Sequence, residues 1–243
     1  VIMEAEAAYR SGAGKVSVLT HENNYSALLA RLPNAMVSSL EKDGEKIFDD
    51  KTVIALGCGL GKGKWGRNLL EIAMKSDLPK IIDADALNII SENDKSYDLS
   101  NSIITPHVGE AARLLGVTNA QIQQDREAAI EKLQSKFGSI VVLKGQGTLI
   151  KGKELSQCLY GNPGMATAGM GDVLSGIIVA LVAQDLALEE SARHGVDIHG
   201  LAGDLAKKEI GEIGLMPMDL FKYIPEIIGN YEGLSEEEEV LVE

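Results

Sequence analysis

Apolar residues in this chain gather into short, β-branched runs, set apart by longer stretches that follow a helical period. Thr52–Leu56 (TVIAL), Lys80–Ile82, Ser102–Ile104 and Ser139–Leu143 (SIVVL) are predicted strands. Runs this short and this apolar suit strands buried on both faces. Lys15–Thr20 (KVSVLT) alternates and reads as a further strand. Helices are predicted over Val1–Arg10, Gly66–Lys75, Val108–Leu115, Asp125–Phe137, Asp172–Ala183 and His194–Glu209. The first has no capping residue ahead of it and stops at Ser11-Gly12-Ala13-Gly14. Asp125–Phe137 carries Ile130 and Leu133 on one face. Thr148–Leu159 alternates in short pieces, the pattern of an antiparallel hairpin. Strands that alternate with helices point to an α/β domain whose mostly parallel sheet is covered on both faces. No internal repeat and no Pro/Ser-rich linker divides the chain, so one core is expected.

Composition narrows the function. Of 243 residues, 45% are hydrophobic and 24% charged, ample apolar surface to exclude disorder as the main state. The formal charge of −13 repels phosphate backbones and argues against general nucleic-acid binding, although a local pocket can still take a small anion. Cys58 and Cys158 are the two cysteines; they form no disulfide framework and suit a reducing compartment. Neither Cys-x-x-Cys nor His-Glu-x-x-His occurs, and His194 and His199 are wrongly spaced for a metal pair on one helix face. The longest apolar run, near Val173–Ala183, falls short of the ~20 residues of a membrane span. Glu4 and Glu6 near the start break any signal pattern. A cytoplasmic protein that binds neither nucleic acid nor membrane is expected. Ser235–Glu239 (SEEEE) reads as a solvated surface segment.

Ligands of open parallel sheets sit at the carboxyl ends of the strands, and here those ends are unusual. They carry Gly57-Cys58-Gly59-Leu60-Gly61, Asp83-Ala84-Asp85, Thr105-Pro106-His107 and Lys144-Gly145-Gln146-Gly147-Thr148. Lys144 and Thr148 are placed to touch phosphates, or Lys144 is merely solvated. His107 lies at the ligand edge or is structural. Asp83 and Asp85 hold a ligand hydroxyl or a metal-bound water, or cap the next helix through Asp85. Gly57–Gly63 departs from both the dinucleotide and the P-loop spacing and can be a plain turn. The most informative segment is Gly161–Gly176 (GNPGMATAGMGDVLSG), where Gly169-Met170-Gly171-Asp172 opens an apolar helix. Free first-turn amides suit an anion. Asp172 there is either an N-cap or a base that takes a proton from a substrate hydroxyl beside bound phosphate.

Taken in order, Gly57–Gly61 (GCGLG), Ile82–Asn88 (IDADALN), Ile104–Leu115 (ITPHVGEAARLL), Val142–Thr148 (VLKGQGT) and Asn162–Gly176 (NPGMATAGMGDVLSG) resemble the ADP/ATP-dependent NAD(P)H-hydrate dehydratases of the ribokinase-like superfamily. The resemblance runs from Val1 to about Ile224. It implies a ribokinase-like three-layer αβα sandwich with a mostly parallel central sheet, a single catalytic domain over 1–243. It implies repair of hydrated NADH and NADPH: the S epimer is dehydrated at the expense of ADP or ATP, with Mg²⁺. The adenine-nucleotide site would fall on Lys144, Gly145, Gln146, Gly147, Thr148 and Gly171, and the hydrated cofactor on Gly59, His107 and Asp172. Asp172 would be the base, and the amides of Gly169, Met170 and Gly171 an anion hole; no residue is assigned as a metal ligand. The family further implies a homo-oligomer, commonly a tetramer, and functional pairing with an NAD(P)H-hydrate epimerase. Two departures stand out. The family's first strand and its Gly-Ala-Ala-like loop, which supply part of the substrate pocket, precede the point where this sequence begins. Ala168 stands where glycine is frequent, and Met170 where a small polar residue is common. Two other readings stay open: a small-molecule kinase of the same superfamily acting on a thiazole or pyrimidine alcohol, and a nucleotide-binding protein without turnover.

Overall fold

The computed structural model describes residues 1–40, 44–93 and 95–231; the acidic run at Ser235–Glu239 lies outside them. Six strands form the central sheet: β3 (Ile54–Leu56), β4 (Lys80–Ile82), β5 (Ser102–Ile104), β6 (Ile140–Leu143), β7 (Leu149–Lys151) and β8 (Leu155–Gln157). They lie side by side in chain order. From β3 to β6 the neighbours are parallel. The β6–β7 and β7–β8 pairs are antiparallel, so the hairpin expected over Thr148–Leu159 closes one edge. A separate parallel pair, β1 (Ser17–Leu19) and β2 (Met36–Ser38), is joined through α2 (Tyr25–Arg31).

The pleat of the strands decides the layers. Ile82, Ile104, Val141 and Leu143 face one side. There they meet Leu70 of α3 (Lys64–Met74), Leu87 of α4 (Ala84–Glu92), Ala111 of α5 (Val108–Leu115) and Ile130 of α7 (Arg126–Phe137). The short α6 (Asn119–Gln124) links α5 to α7. The alternate residues Ile81, Ile103 and Val142 face the other side. They pack on Leu174, Ile178 and Val182 of α8 (Met170–Ala183) and on Ala192 and Val196 of α9 (Leu188–Ile210). A period of two along each strand thus builds an αβα sandwich.

Helix α8 is apolar nearly all round because it is covered twice. One face meets the sheet; another meets Ala7 of α1 (Ile2–Arg10) and, through the same cluster, Ile224 of α10 (Ile224–Tyr231). Gly176 allows this approach, since a β-carbon there would sit 2.2 Å from the Glu4 carbonyl oxygen. The contact fixes the start of α1 against the first turns of α8. Three helices begin earlier than their patterns suggest: α3 at Lys64, α8 at Met170 and α9 at Leu188. In α9 the acidic first turn, Glu189 and Glu190, masks the apolar face that Ala192 and Val196 continue. No helix among the described residues is long and apolar enough to cross a membrane.

Candidate active site

The parallel strands end level with one another. Main-chain bonds lace their ends together: Asp83 N–H to Leu56 C=O at 3.0 Å, Thr105 N–H to Ile82 C=O at 3.1 Å, and Lys144 N–H to Pro106 C=O at 2.9 Å. The polar residues that stop each apolar run therefore meet along one edge, the usual ligand edge of such a sheet.

At its centre lies a buried ion pair. Lys144 Nζ donates to Asp83 Oδ1 at 2.6 Å, and Glu110 Oε2 stands 3.9 Å away. Burial alone would lower the ammonium, but the Asp83 and Glu110 carboxylates overcome it and hold Lys144 above the ordinary lysine value. Lys144 is therefore neither solvated nor free to deprotonate. Asp83 Oδ1 also accepts from the Ala84 amide at 2.7 Å, and Oδ2 from Ser175 Oγ at 3.1 Å. Asp83, not Asp85, caps α4. Asp85 instead accepts the Gly61 amide at 2.8 Å and so ties down the Gly57–Gly61 loop. Between the two aspartates Ala84 adopts φ +47°, a left-handed conformation that costs a residue with a β-carbon ~1–2 kcal/mol. Gly57, at φ +131°, lies so close that a β-carbon would fall 1.8 Å from the Asp83 carbonyl oxygen. Nothing lies within 4 Å of where a Gly59 β-carbon would be, so that stretch of loop faces open space.

His107 is an N-cap. Its Nδ1 accepts from the Gly109 amide at 2.9 Å and the Glu110 amide at 3.3 Å, while Glu110 Oε2 accepts the His107 amide at 2.8 Å. Two donors on Nδ1 require the neutral ring with its proton on Nε2. Burial, then the nearby Lys144 and Arg113 charges, push its pKa below the ordinary histidine value. His107 thus has a structural role, and it stands just beyond the carboxyl end of β5. Burial in turn raises the Glu110 carboxyl, partly offset by Lys144.

Helix α8 brings the last group. Gly169, at φ +97°, occupies the N-cap position, and Asp172 is the third helical residue, so the capping explanation for Asp172 does not hold. Its carboxylate is partly exposed and lies 3.4 Å from the Val1 amino group. A β-carbon on Gly171 would fall 3.2 Å from Lys144 Nζ and 3.4 Å from Asp83 Oδ2. The helix start thus abuts the Lys144–Asp83 pair. The Met170 amide already donates to the Thr167 carbonyl at 3.3 Å, and its side chain is buried. From α1, Glu4 projects into the same neighbourhood. Burial raises its carboxyl to about 7, with Asp172 and Asp83 adding to the rise and the Val1 amino group opposing it. Burial and then the Glu4, Asp83 and Asp172 charges push the Cys58 thiol upward, so it stays protonated.

The loops beside this centre are braced by long-range bonds. Asp204 accepts the Gly161 amide and Asn162 Nδ2, each at 2.9 Å, and Thr167 Oγ donates to the Gly164 and Leu215 carbonyls at 3.1 and 3.3 Å. Thr148 Oγ donates to the Gly145 carbonyl at 3.0 Å, and Arg126 reaches the loop from α7. Among the described residues no cluster of three or more His, Cys, Asp or Glu side chains forms a metal cage. Mg²⁺ takes one or two carboxylates and completes its shell with phosphate oxygens and water, and Asp83 and Glu110 are the carboxylates beside Lys144 that could hold it. A cavity of about 480 Å³ lies elsewhere, lined by Ile90, Tyr97, Arg113 and Phe137 among others at the C-terminal ends of α4, α5 and α7. It includes neither Asp83, Lys144 nor Asp172.

A family model described as NAD(P)H-hydrate dehydratase matches residues 1–226. The chain belongs to the NAD(P)H-hydrate dehydratase family. A bifunctional NAD(P)H-hydrate repair enzyme of Coxiella burnetii is 45% identical over 228 residues, covering 92% of this chain and 46% of that protein. The chain thus spans about half the length of that relative. An ADP-dependent (S)-NAD(P)H-hydrate dehydratase of Neisseria meningitidis is 39% identical over 219 residues, 86% of this chain and 73% of that protein. Among solved structures, a ribokinase-like superfamily protein of Enterococcus faecalis superposes with a TM-score of 0.85 at 32% identity, covering 95% of this chain and 82% of the other. The ADP/ATP-dependent NAD(P)H-hydrate dehydratase of Bacillus subtilis, co-crystallised with ATP/Mg²⁺, gives 0.82 at 26% identity, covering 95% and 84%. The fold is the ribokinase-like αβα sandwich.

In this dehydratase-family chain, then, Gly171 comes up to Lys144 and Asp83, Asp172 follows it on the first turn of α8, and His107 and the Gly59 loop stand at other strand ends of the same sheet. Sequence reasoning passed over Glu110, Ser175, Glu4 and Arg126. His107-x-x-Glu110 has the spacing of a reciprocal cap, a signal hidden because histidine seldom fills that role. The other three depend on contacts between distant segments.

Proposed function

We propose that the chain removes water from the S epimer of NAD(P)H hydrate at the expense of ADP or ATP and returns NAD(P)H. The observation that carries this reading is the approach of Gly171, neighbour of Asp172, to the buried Lys144–Asp83 pair. A carboxylate beside unpaired helix-start amides and a fixed ammonium can work on a hydroxyl next to a polyphosphate. The relatives named above, a dehydratase that uses ADP and one crystallised with ATP/Mg²⁺, support the choice of co-substrate.

On this reading Asp172 takes the proton of the ring C6 hydroxyl. The freed oxygen attacks the terminal phosphorus of the nucleotide, and the bond to the bridging oxygen breaks. The ring-nitrogen lone pair then expels phosphate from C6, and loss of the C5 proton restores the double bond. Lys144, held charged by its carboxylates, and the Gly169 and Gly171 amides face the charge on the transferring group; Met170 shares its amide with Thr167. The Lys144–Thr148 loop grips the nucleotide, and Gly59 and His107 border the hydrated ring. Mg²⁺, when bound near Asp83 and Glu110, supplies neutralisation of phosphate charge.

The protein works, on the same reading, as a single catalytic domain in the cytoplasm, as a homo-oligomer alongside an epimerase. The exposed Leu159 and Ile213, 87% and 98% accessible, support self-association; light scattering tests it against the expected tetramer. For the activity itself, hydrated NADH is incubated with ADP or ATP and Mg²⁺, and reduced-nicotinamide absorbance and free phosphate are followed. Both rise together if the reading is right. A stable phosphorylated product without free phosphate identifies a kinase instead. Asp172→Asn is expected to lose turnover by ~10²–10⁴-fold while still binding nucleotide; turnover near the wild-type rate ends the assignment of the base.

A further inference from the structure

We infer that Arg126 is the positioning residue of the nucleotide loop: its guanidinium turns the main chain of residues 143–147 so that the amides of Gly147 and Thr148 point toward the bound phosphate chain. This rests on the nucleotide-site reading above and goes one step further. Arg126 opens α7, well before the loop in sequence, and its side chain is only half-buried. Nη2 donates to the Leu143 carbonyl at 3.0 Å. Nη1 donates to the Gly147 carbonyl at 3.1 Å and to that of Gln146. One planar fork thus collects three carbonyls of a single loop.

Peptide geometry supplies the consequence. The chain has no cis peptide bond among the described residues, and in a trans unit the N–H points opposite to the C=O. Carbonyls 146 and 147 face Arg126, so the amides of Gly147 and Thr148 face away from it. Among the described residues neither amide has an acceptor within the protein. Consecutive amides turned to one side form an anion-binding concavity. The glycines fit the same arrangement. Gly145 (φ +149°) and Gly147 (φ +59°) allow the reversal, and a β-carbon on Gly145 would crowd Arg126 Nη2 at 3.2 Å. Lysine could keep the charge but not span three carbonyls in one plane. The role is therefore one of geometry, not of charge alone.

The test compares Arg126→Lys and Arg126→Ala with wild type in initial rates on hydrated NADH. The nucleotide KM is expected to rise by on the order of tenfold to a hundredfold in both variants, with kcat and the hydrate KM changed less than about threefold. Methylguanidinium is expected to restore part of the loss in Arg126→Ala and none in Arg126→Lys, with the melting temperature close to wild type. A wild-type nucleotide KM in Arg126→Lys overturns the inference, because charge then suffices. So does a parallel rise in both KM values, the mark of general loosening. Should Arg126→Ala fail to fold, Arg126→Lys decides alone. Amide hydrogen exchange of wild type with and without ADP separates the two layers. Protection at residues 147 and 148 supports the nucleotide site on which the inference stands. Its absence overturns both, whereas protection together with unchanged variants overturns only the role of Arg126.

Discussion

Glu4 lies buried on α1, close to Asp172, Asp83 and Cys58, with its carboxyl raised from 4.5 to about 7. Replacing it by glutamine keeps the shape and removes the titration. In the unfolded chain the carboxyl ionises near its ordinary value; in the folded protein it holds its proton until about neutrality. Between those two values the native state binds the proton that the unfolded state has released, so stability falls as pH rises. Each factor of ten in proton affinity is worth about 1.4 kcal/mol, so the gap between 4.5 and about 7 caps the penalty at roughly 3 kcal/mol. Glu4→Gln is therefore expected to match wild type near pH 4.5, to gain stability progressively above it, and to level off above pH 7 with an advantage of ~1–3 kcal/mol. Urea denaturation of both proteins at a series of pH values across this window reads the difference directly. A pH-independent difference, or one that grows on acidification, refutes the claim that Glu4 is buried and protonated among acidic neighbours.

Three further perturbations test other parts of the site. Asp83→Asn removes the main partner of the buried Lys144 (2.6 Å); breaking such a pair costs ~3–5 kcal/mol, and calorimetry should show the loss along with reduced turnover. Gly176→Ala places a β-carbon 2.2 Å from the Glu4 carbonyl oxygen and 2.6 Å from Ala7 Cβ. Overpacking of this kind costs ~1–3 kcal/mol, and a urea midpoint equal to wild type would deny the close approach of α1 and α8. Acidification should weaken the His107 cap: its folded pKa is depressed, so the contribution is full above the ordinary histidine value and is lost as pH falls through the lower folded one. His107→Ala removes that pH dependence, which stability measured between pH 7 and 5 can show.

The sheet was legible because parallel strands buried on both faces leave contiguous apolar runs, and Ile81-Ile82 and Ile103-Ile104 are such runs. The polar residues ending them were legible for the same reason, since topology carries every carboxyl end to one edge. In the separate β1–β2 pair with α2, β1 was legible from the alternation of Lys15–Thr20, but α2 and β2 were not. Helix α2 buries only Leu28, and β2 buries none of its residues, so neither imposes a period on the sequence. Ala84 in a left-handed conformation sits beside the close passage of Gly57 over Asp83, and no local preference for that conformation announces it. Asp172 stood out because glycines flank a lone carboxylate at a helix start. Glu4 lies at the other end of the chain from it, and nothing beside it in sequence marks it as buried. The contact that buries Glu4 runs through Gly176, a residue whose meaning appears only once α1 and α8 are seen to touch.

An acidic chain proposed to grip a polyphosphate needs its attraction explained. Glu4, Asp83, Glu110 and Asp172 crowd the edge where Lys144 is the ion-paired cation, and Lys144 is already spent on two of them. The Lys144 charge therefore cannot by itself be the main source of phosphate binding. What remains are amides, at the start of α8 and in the Lys144–Thr148 loop, the Arg126 guanidinium behind that loop, and a divalent ion, which Asp83 and Glu110 would hold and which would neutralise phosphate charge. The amides and the ion respond differently to solution conditions. Amide donors in a partly buried site are little screened by salt, whereas surface ion pairs weaken steeply. Nucleotide affinity is accordingly expected to vary little with added KCl and to drop sharply when EDTA removes Mg²⁺, because the carboxylates then face the phosphates uncompensated. Isothermal titration of ADP with KCl and with EDTA compares the two. A steep salt dependence that survives chelation would place the attraction in lysines and arginines outside this edge and would separate the nucleotide from Asp172.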